Sequence, residues 1–208
     1  MKTSITAALA AIAVLSAASM AGAEPRDVGA FDSVRAQDNL RVDIIHGAEF
    51  SVDVSGVEAA RVRTEVRDGT LQVSEINRPW FGHDRQVAAT IHVTMPSVKG
   101  LASAKGATVI AEGVQGTDVS LAAAMGGELR VSGACTVATV AASMGAVIRA
   151  QDFQCAHATI SASMGGDAQV FASAGYTASA SMGGEVKVLG GGVRGQVSTS
   201  FGGEVSQD

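Results

Sequence analysis

The chain has 208 residues, with 15 Lys and Arg against 20 Asp and Glu and a formal net charge of −5. That acidic balance excludes a protein built to hold nucleic acid by its phosphates. Apolar residues make up 47% of the sequence but aromatics only 4%, which suits one large or two small cores filled by small aliphatic side chains.

Residues 1–23 have the pattern of a secretory signal peptide. Lys2 supplies a positive start, Ile5 to Ala18 an apolar stretch interrupted by Ser and Thr, and Ala21-Gly22-Ala23 a small-residue cleavage site. A membrane span needs about 20 continuous apolar residues, so an anchor fits less well. No Cys follows the cleavage site, and lipid attachment is not indicated. Cleavage after Ala23 would leave a mature chain of 185 residues with 14 basic and 20 acidic groups.

Residues 24–100 form a charged, β-rich N-terminal region. They carry nine basic and twelve acidic residues, against five and eight in the longer stretch from 101 to 208. Short β-patterned runs appear at Leu40 to Ile45, Glu49 to Val54, Val62 to Val66, Thr70 to Ser74 and Gln86 to Met95, and Asp68-Gly69 marks a hairpin between two of them. Between Arg78 and Arg85 lies the one loop combining aromatic and charged residues. Trp80, Phe81, His83 and Arg85 there are candidates for a binding loop, since Trp and Arg are favoured at interface centres. A hairpin tip that packs Trp80 on the end of the following repeats is the other reading.

Residues 101–208 repeat. Met125-Gly126-Gly127, Met144-Gly145-Ala146, Met164-Gly165-Gly166, Met182-Gly183-Gly184 and Phe201-Gly202-Gly203 follow one another at spacings of 19, 20, 18 and 19, and Lys105-Gly106-Ala107 stands 20 residues earlier. Such a unit is too short to bury its own apolar face, so the copies must stack and share one core. Four residues before each mark come Leu101, Leu121, Val140, Ile160, Ala178 and Val197; four after come Val109, Leu129, Ile148, Ala168, Val186 and Val205. Alternation with period two on both sides predicts two short strands per repeat, with the Gly pair as the bend between them. The helical alternative lacks a 3.6-residue stripe. The architecture predicted is an all-β, right-handed parallel β-helix or β-solenoid of about 19 residues per turn, each rung rising about 4.8 Å. By parity with the inward Leu and Ala positions, the Met125, Met144, Met164, Met182 and Phe201 column belongs in the core, where a sulfur ladder needs no ligand.

Cys135 and Cys155 are 20 residues apart, ten and eleven residues after their respective Met. Stacked rungs bring such residues within disulfide range, and export would keep the bridge oxidised; the one-residue offset leaves two free thiols as the alternative. His46, His83, His92 and His157 have no partners at zinc spacing. Nucleophile elbow, P-loop and dinucleotide fingerprint are all missing. One column, Glu128, Asp167, Glu185 and Glu204, could place carboxylates on successive rungs for calcium or sugar chemistry. Val147 interrupts it, and Arg130, Arg149 and Lys187 stand two residues further on to screen it.

The segment Phe31-Asp32-Ser33-Val34, the run from Val42 to Gly47, the element from Val66 to Val73, the Met95-Pro96-Ser97-Val98 turn and the serial Ser/Ala-x-Gly-Gly repeats resemble the "putative auto-transporter adhesin, head GIN domain" family over residues 31 to 205. In that family the turn commonly reads Ser-Gly-Ser-Gly, whereas this chain puts Met or Phe at the first Gly. The resemblance implies an exported β-helical, adhesin-like module and supplies no catalytic residues. The function expected is therefore a structural or interaction module at the periplasm or cell surface, not an enzyme and without cofactors, that meets an envelope protein or glycan. A binder or processor of cell-envelope polysaccharide on the same scaffold is the alternative. Because the repeats run to Glu204-Val205 with little following, the last rung is a candidate to pair with another copy or with a strand of another envelope protein; a folded-back N-terminal region, or blunting of the edge by Glu204, Gln207 and Asp208, is the other reading.

Overall fold

The computed structural model describes residues 23–76 and 87–208. The signal-peptide pattern, save Ala23, and the Trp80, Phe81, His83 and Arg85 loop lie outside the described residues. Eight short strands come first: β1 (Glu24–Pro25), β2 (Ser33–Ala36), β3 (Arg41–His46), β4 (Ser51–Ser55), β5 (Val62–Arg67), β6 (Thr70–Glu75), β7 (Thr90–Met95) and β8 (Gly100–Ala104). Then come β9 (Thr108–Ala124), β10 (Glu128–Ser143), β11 (Val147–Ser163), β12 (Asp167–Ser181), β13 (Glu185–Leu189), β14 (Val193–Ser200) and β15 (Glu204–Gln207). All belong to one hydrogen-bonded sheet wound into a parallel β-solenoid of about five turns.

The predicted inward positions stack rung on rung. Leu121 pairs with Val140, Val140 with Ile160 and Ile160 with Ala178, while Val109, Leu129, Ile148, Ala168 and Val186 form the facing column. Apart from Val197 and Val205 at the far end, the residues of these columns are buried, so each rung closes the apolar face of its neighbour. The two strands expected per repeat are merged, however, into single strands of 15 to 17 residues in β9 to β12. Register shifts absorb the change of direction: β10 and β11 pair Arg130 with Arg149 but Ser132 with Asp152. A bulge bends the chain without ending it.

The same stacking extends into the charged region. β2 lies parallel to β8 with Val34 opposite Leu101, and β3 lies parallel to β9 with Val42 opposite Val109, so residues 33–46 make a coil of their own. Beyond it, antiparallel pairs cover the N-terminal end. β5 and β6 form the hairpin predicted at Asp68-Gly69, both at positive φ, and β4 bridges β7 and β1. At the opposite end β14 pairs only with β12, and β15 only with β13, among the described strands. The Tyr176 hydroxyl donates to Gln207 Oε1 at 2.9 Å and Gln207 Nε2 to the Gly192 carbonyl at 3.0 Å, placing a polar plug over the last of the core.

Candidate interaction surface

Three surfaces of different chemistry run along the solenoid. The first is the sharp corner, where the strand leaving each coil turns into the next. Met125, Met144, Met164, Met182 and Phe201 have φ between 47° and 52°, and the Gly after each lies between 70° and 75°. Two positive φ values in succession define a type I′ turn, closed by hydrogen bonds such as Gly127 N–H to the Ala124 carbonyl at 3.1 Å. Adjacent turns are tied as well: Gly126 N–H donates to the Met144 carbonyl and Gly145 N–H to the Met164 carbonyl, each at 3.1 Å. Asp38-Asn39 and Lys105-Gly106 adopt the same conformation, and Asn39 N–H donates to the Lys105 carbonyl. The ladder of turns therefore starts at Asp38.

That geometry overturns the inward assignment of the Met column. The four Met side chains are 45–53% exposed and Phe201 is 87% exposed. Period-two parity holds only while backbone stays extended; a left-handed residue swings its Cβ outward. The inward place is taken two residues later by Gly127, Ala146, Gly166 and Gly184, which are buried. A Cβ on Gly166 or Gly184 would sit 2.5 Å from a carbonyl oxygen of the preceding coil. A bulky residue in left-handed backbone costs about 1–2 kcal/mol, and this chain bears that cost at each turn from Lys105 to Phe201.

The second surface is the outer face of the strand halves that lead into the turns. Ser120, Thr139, Thr159 and Thr177 form one column; Ala122, Ala141, Ser161, Ser179 and Ser198 a second; Ala124, Ser143, Ser163, Ser181 and Ser200 a third. None of these residues is charged. Hydroxyls and methyls thus recur at rung spacing over a face without large side chains.

The third surface, on the halves that follow the turns, is charged. Arg130 Nη2 and Arg149 Nη1 converge on Glu128 Oε1 at 2.8 and 2.6 Å, and Lys187 pairs with Asp208. Asp208 holds the Lys187 ammonium above the usual lysine range. Glu128, Val147, Asp167, Glu185 and Glu204 do stack in register. Among the described residues, though, no group of three or more His, Cys, Asp or Glu is placed to hold a metal ion. His46, His92 and His157 stand exposed and apart. Beside the Arg pair lies an open groove of about 390 Å³ lined by Ile110, Arg130, Ser132, Arg149, Gln151 and Asp152. Gln151 Oε1 is buried there without a hydrogen-bond partner. Sequence reasoning missed this groove because the bulge that opens it leaves no periodic signal.

Cys135 and Cys155 form a disulfide, with Cα atoms 4.5 Å apart. They pair directly because the register shift near Val131 takes up the one-residue offset.

The described residues thus form a stacked-coil β-solenoid with open surface grooves. The chain belongs to the family described as "Putative auto-transporter adhesin, head GIN domain", matched over residues 30–192. It is similar in fold to a "putative adhesin" from Bacteroides fragilis NCTC 9343, at TM-score 0.69 and 15% identity over 89% of this chain and 96% of that one. A "putative lipid binding protein" from Parabacteroides distasonis ATCC 8503 is similar at TM-score 0.52 and 16% identity over 91% and 98%. The family and these neighbours are described as adhesins or lipid-binding proteins and not as enzymes. No curated protein matches the sequence. Among the described residues no helix is long and apolar enough to cross a membrane.

Proposed function

We propose that this protein is an exported, non-catalytic, adhesin-like module that binds an envelope protein or a glycan at the periplasm or cell surface. The uncharged hydroxyl face carries this reading. Its three columns present the same short side chains on successive coils, so a partner with a matching repeat gains contacts with each rung it covers, and the rigid scaffold keeps the ordering cost low. Family membership and the export pattern in residues 1–23 support the same location. Photo-crosslinkers placed at Ser161 and Ser179 in intact cells should capture one envelope component, and crosslinkers at Arg130 should not. Equal labelling from both faces, or from neither, would remove the basis for this surface.

A glycan in the Arg130–Arg149 groove is the second reading. The unpartnered Gln151 Oε1 and the two guanidinium groups offer one acceptor and several donors to ring hydroxyls or a uronate. Polysaccharide binding that is lost in Gln151→Ala and Arg149→Ala, with crosslinking from Ser161 unchanged, would move the function to this face.

A further inference from the structure

The sharp-corner ridge is not accounted for by packing. Met125, Met144, Met164 and Met182 are about half exposed, so burial does not explain them, and all four stand in left-handed backbone that Asn or Gly adopts more readily. Asp38 and Asn39 show that the same turn forms here from residues with that tolerance. Recurrent local strain without a packing return points to a function of the side chain itself. An apolar ridge could be written with Leu. What Met adds is a soft, uncharged thioether sulfur.

We infer that the ridge is a binding site for a soft monovalent cation, Cu(I) or its redox-inert counterpart Ag(I), held between the thioethers of adjacent coils. Thioether ligands select Cu(I) over hard cations. The turn-to-turn hydrogen bonds at 3.1 Å stack successive Met backbones one coil apart. That spacing of about 4.8 Å is close to twice the zinc–thiolate distance of about 2.3 Å, the guide for a two-coordinate soft ion between two sulfurs. Three rotatable bonds let each sulfur reach its place. Both cysteines are consumed in the disulfide and Met95 is fully buried, so these four thioethers are the soft donors the described surface offers. Three residues beyond the ridge, Asp167, Glu185 and Glu204 add negative potential on successive coils. Phe201 ends the run, which leaves room for at most two ions, one per Met pair.

The test uses the mature chain labelled with ¹³C at the methionine methyls. On addition of Ag(I), the methyl signals of Met125, Met144, Met164 and Met182 should shift while that of Met95 stays in place. The protein should also withdraw at least one Cu(I) from a bicinchoninate complex, with only sulfur in the first shell by X-ray absorption. Met144→Leu with Met164→Leu, which keeps an apolar ridge, should lower that affinity on the order of tenfold or more. Ridge signals that ignore Ag(I), or a Leu variant that takes up Cu(I) as well as wild type, would overturn the proposal. Shifts caused by phosphatidylcholine vesicles but not by Ag(I) would make the ridge an apolar docking line instead. The methyl readout needs no substitution, so it stands even where a variant fails to fold.

Discussion

At the sharp corner the chain reverses in two left-handed residues; from Lys105 to Gly202 each coil does so with nearly the same φ values and the same closing hydrogen bond, and Asp38-Asn39 makes the same reversal with φ of 65° and 56°. At the opposite corner each coil finds its own solution. Asp32 pairs with Lys99, Cys135 is bridged to Cys155, Val114 and Phe153 are buried side chains, and Tyr176 reaches Gln207. One corner is set by backbone and the other by side chains. A type I′ turn tolerates no change of length, whereas a bulged bend takes up the one-residue differences between repeats. This is how spacings of 18, 19 and 20 coexist with one strict ladder of turns.

The core between the corners should be the most sensitive element. Ile160 is buried between Val140 and Ala178, and Ile160→Ala should cost about 2–5 kcal/mol. Thermal melting that matches wild type would break the two-sided core. At the wide corner, Cys135→Ser with Cys155→Ser should lower stability by roughly 3 kcal/mol, the value for closing a loop of about 20 residues, while the sharp-corner turns stay intact. Hydrogen exchange separates the outcomes: faster exchange at Gly145 or Gly165 in this variant would mean that the corners are not independent.

The sharp corner should respond to conformation and not to space. Around a Cβ added to Gly165 there is nothing within 4 Å, yet its φ is +72°. Gly165→Val should therefore cost about 1–2 kcal/mol or somewhat more, whereas Met164→Asn should leave the melting temperature level or raise it, because Asn accepts left-handed backbone. Destabilisation by Met164→Asn equal to that of Gly165→Val would show the Met side chain to be structural after all.

How far the sequence could be read follows the same division. Val140, Ile160 and Leu129 were legible as inward residues because extended backbone alternates its side chains without exception. The Cys pair was legible because rung spacing converts a 20-residue separation into a contact. Met144 was not, since its side of the fold depends on a φ that letters alone do not carry. Asp38-Asn39 belongs to the same ladder but lies 67 positions before Lys105 and lacks the Gly pair, so no period announces it. Gln151 and the groove around it arise from a bulge, and Gln207 from a long-range hydrogen bond; neither leaves a repeat.

The smallest expected effect concerns the wide corner of the first coils, where Lys99 Nζ lies 2.7 Å from Asp32 Oδ2 and Lys99 N–H donates to the Asp32 carbonyl. The Lys99 ammonium holds the Asp32 carboxyl below the usual aspartate range against the opposing effect of burial, and Asp32 in turn holds Lys99 above the usual lysine range. A lowered carboxyl binds fewer protons in the native than in the unfolded chain, so its contribution is full above the ordinary aspartate value of about 3.9 and is lost as pH falls through the lowered native value. The raised ammonium contributes below the ordinary lysine value of about 10.4 and is lost as pH rises through its raised one. The stability difference between wild type and Asp32→Asn should therefore be flat from about pH 5 to pH 9 and shrink on either side. Because the pair is largely exposed, the plateau should be small and should fall as salt is added. Urea denaturation of both proteins at pH 3 and pH 7, each at low and high salt, measures it. An equal difference at both pH values would leave Asp32 with a hydrogen-bonding role to Ser33 alone and remove the ion pair from the devices that hold this corner.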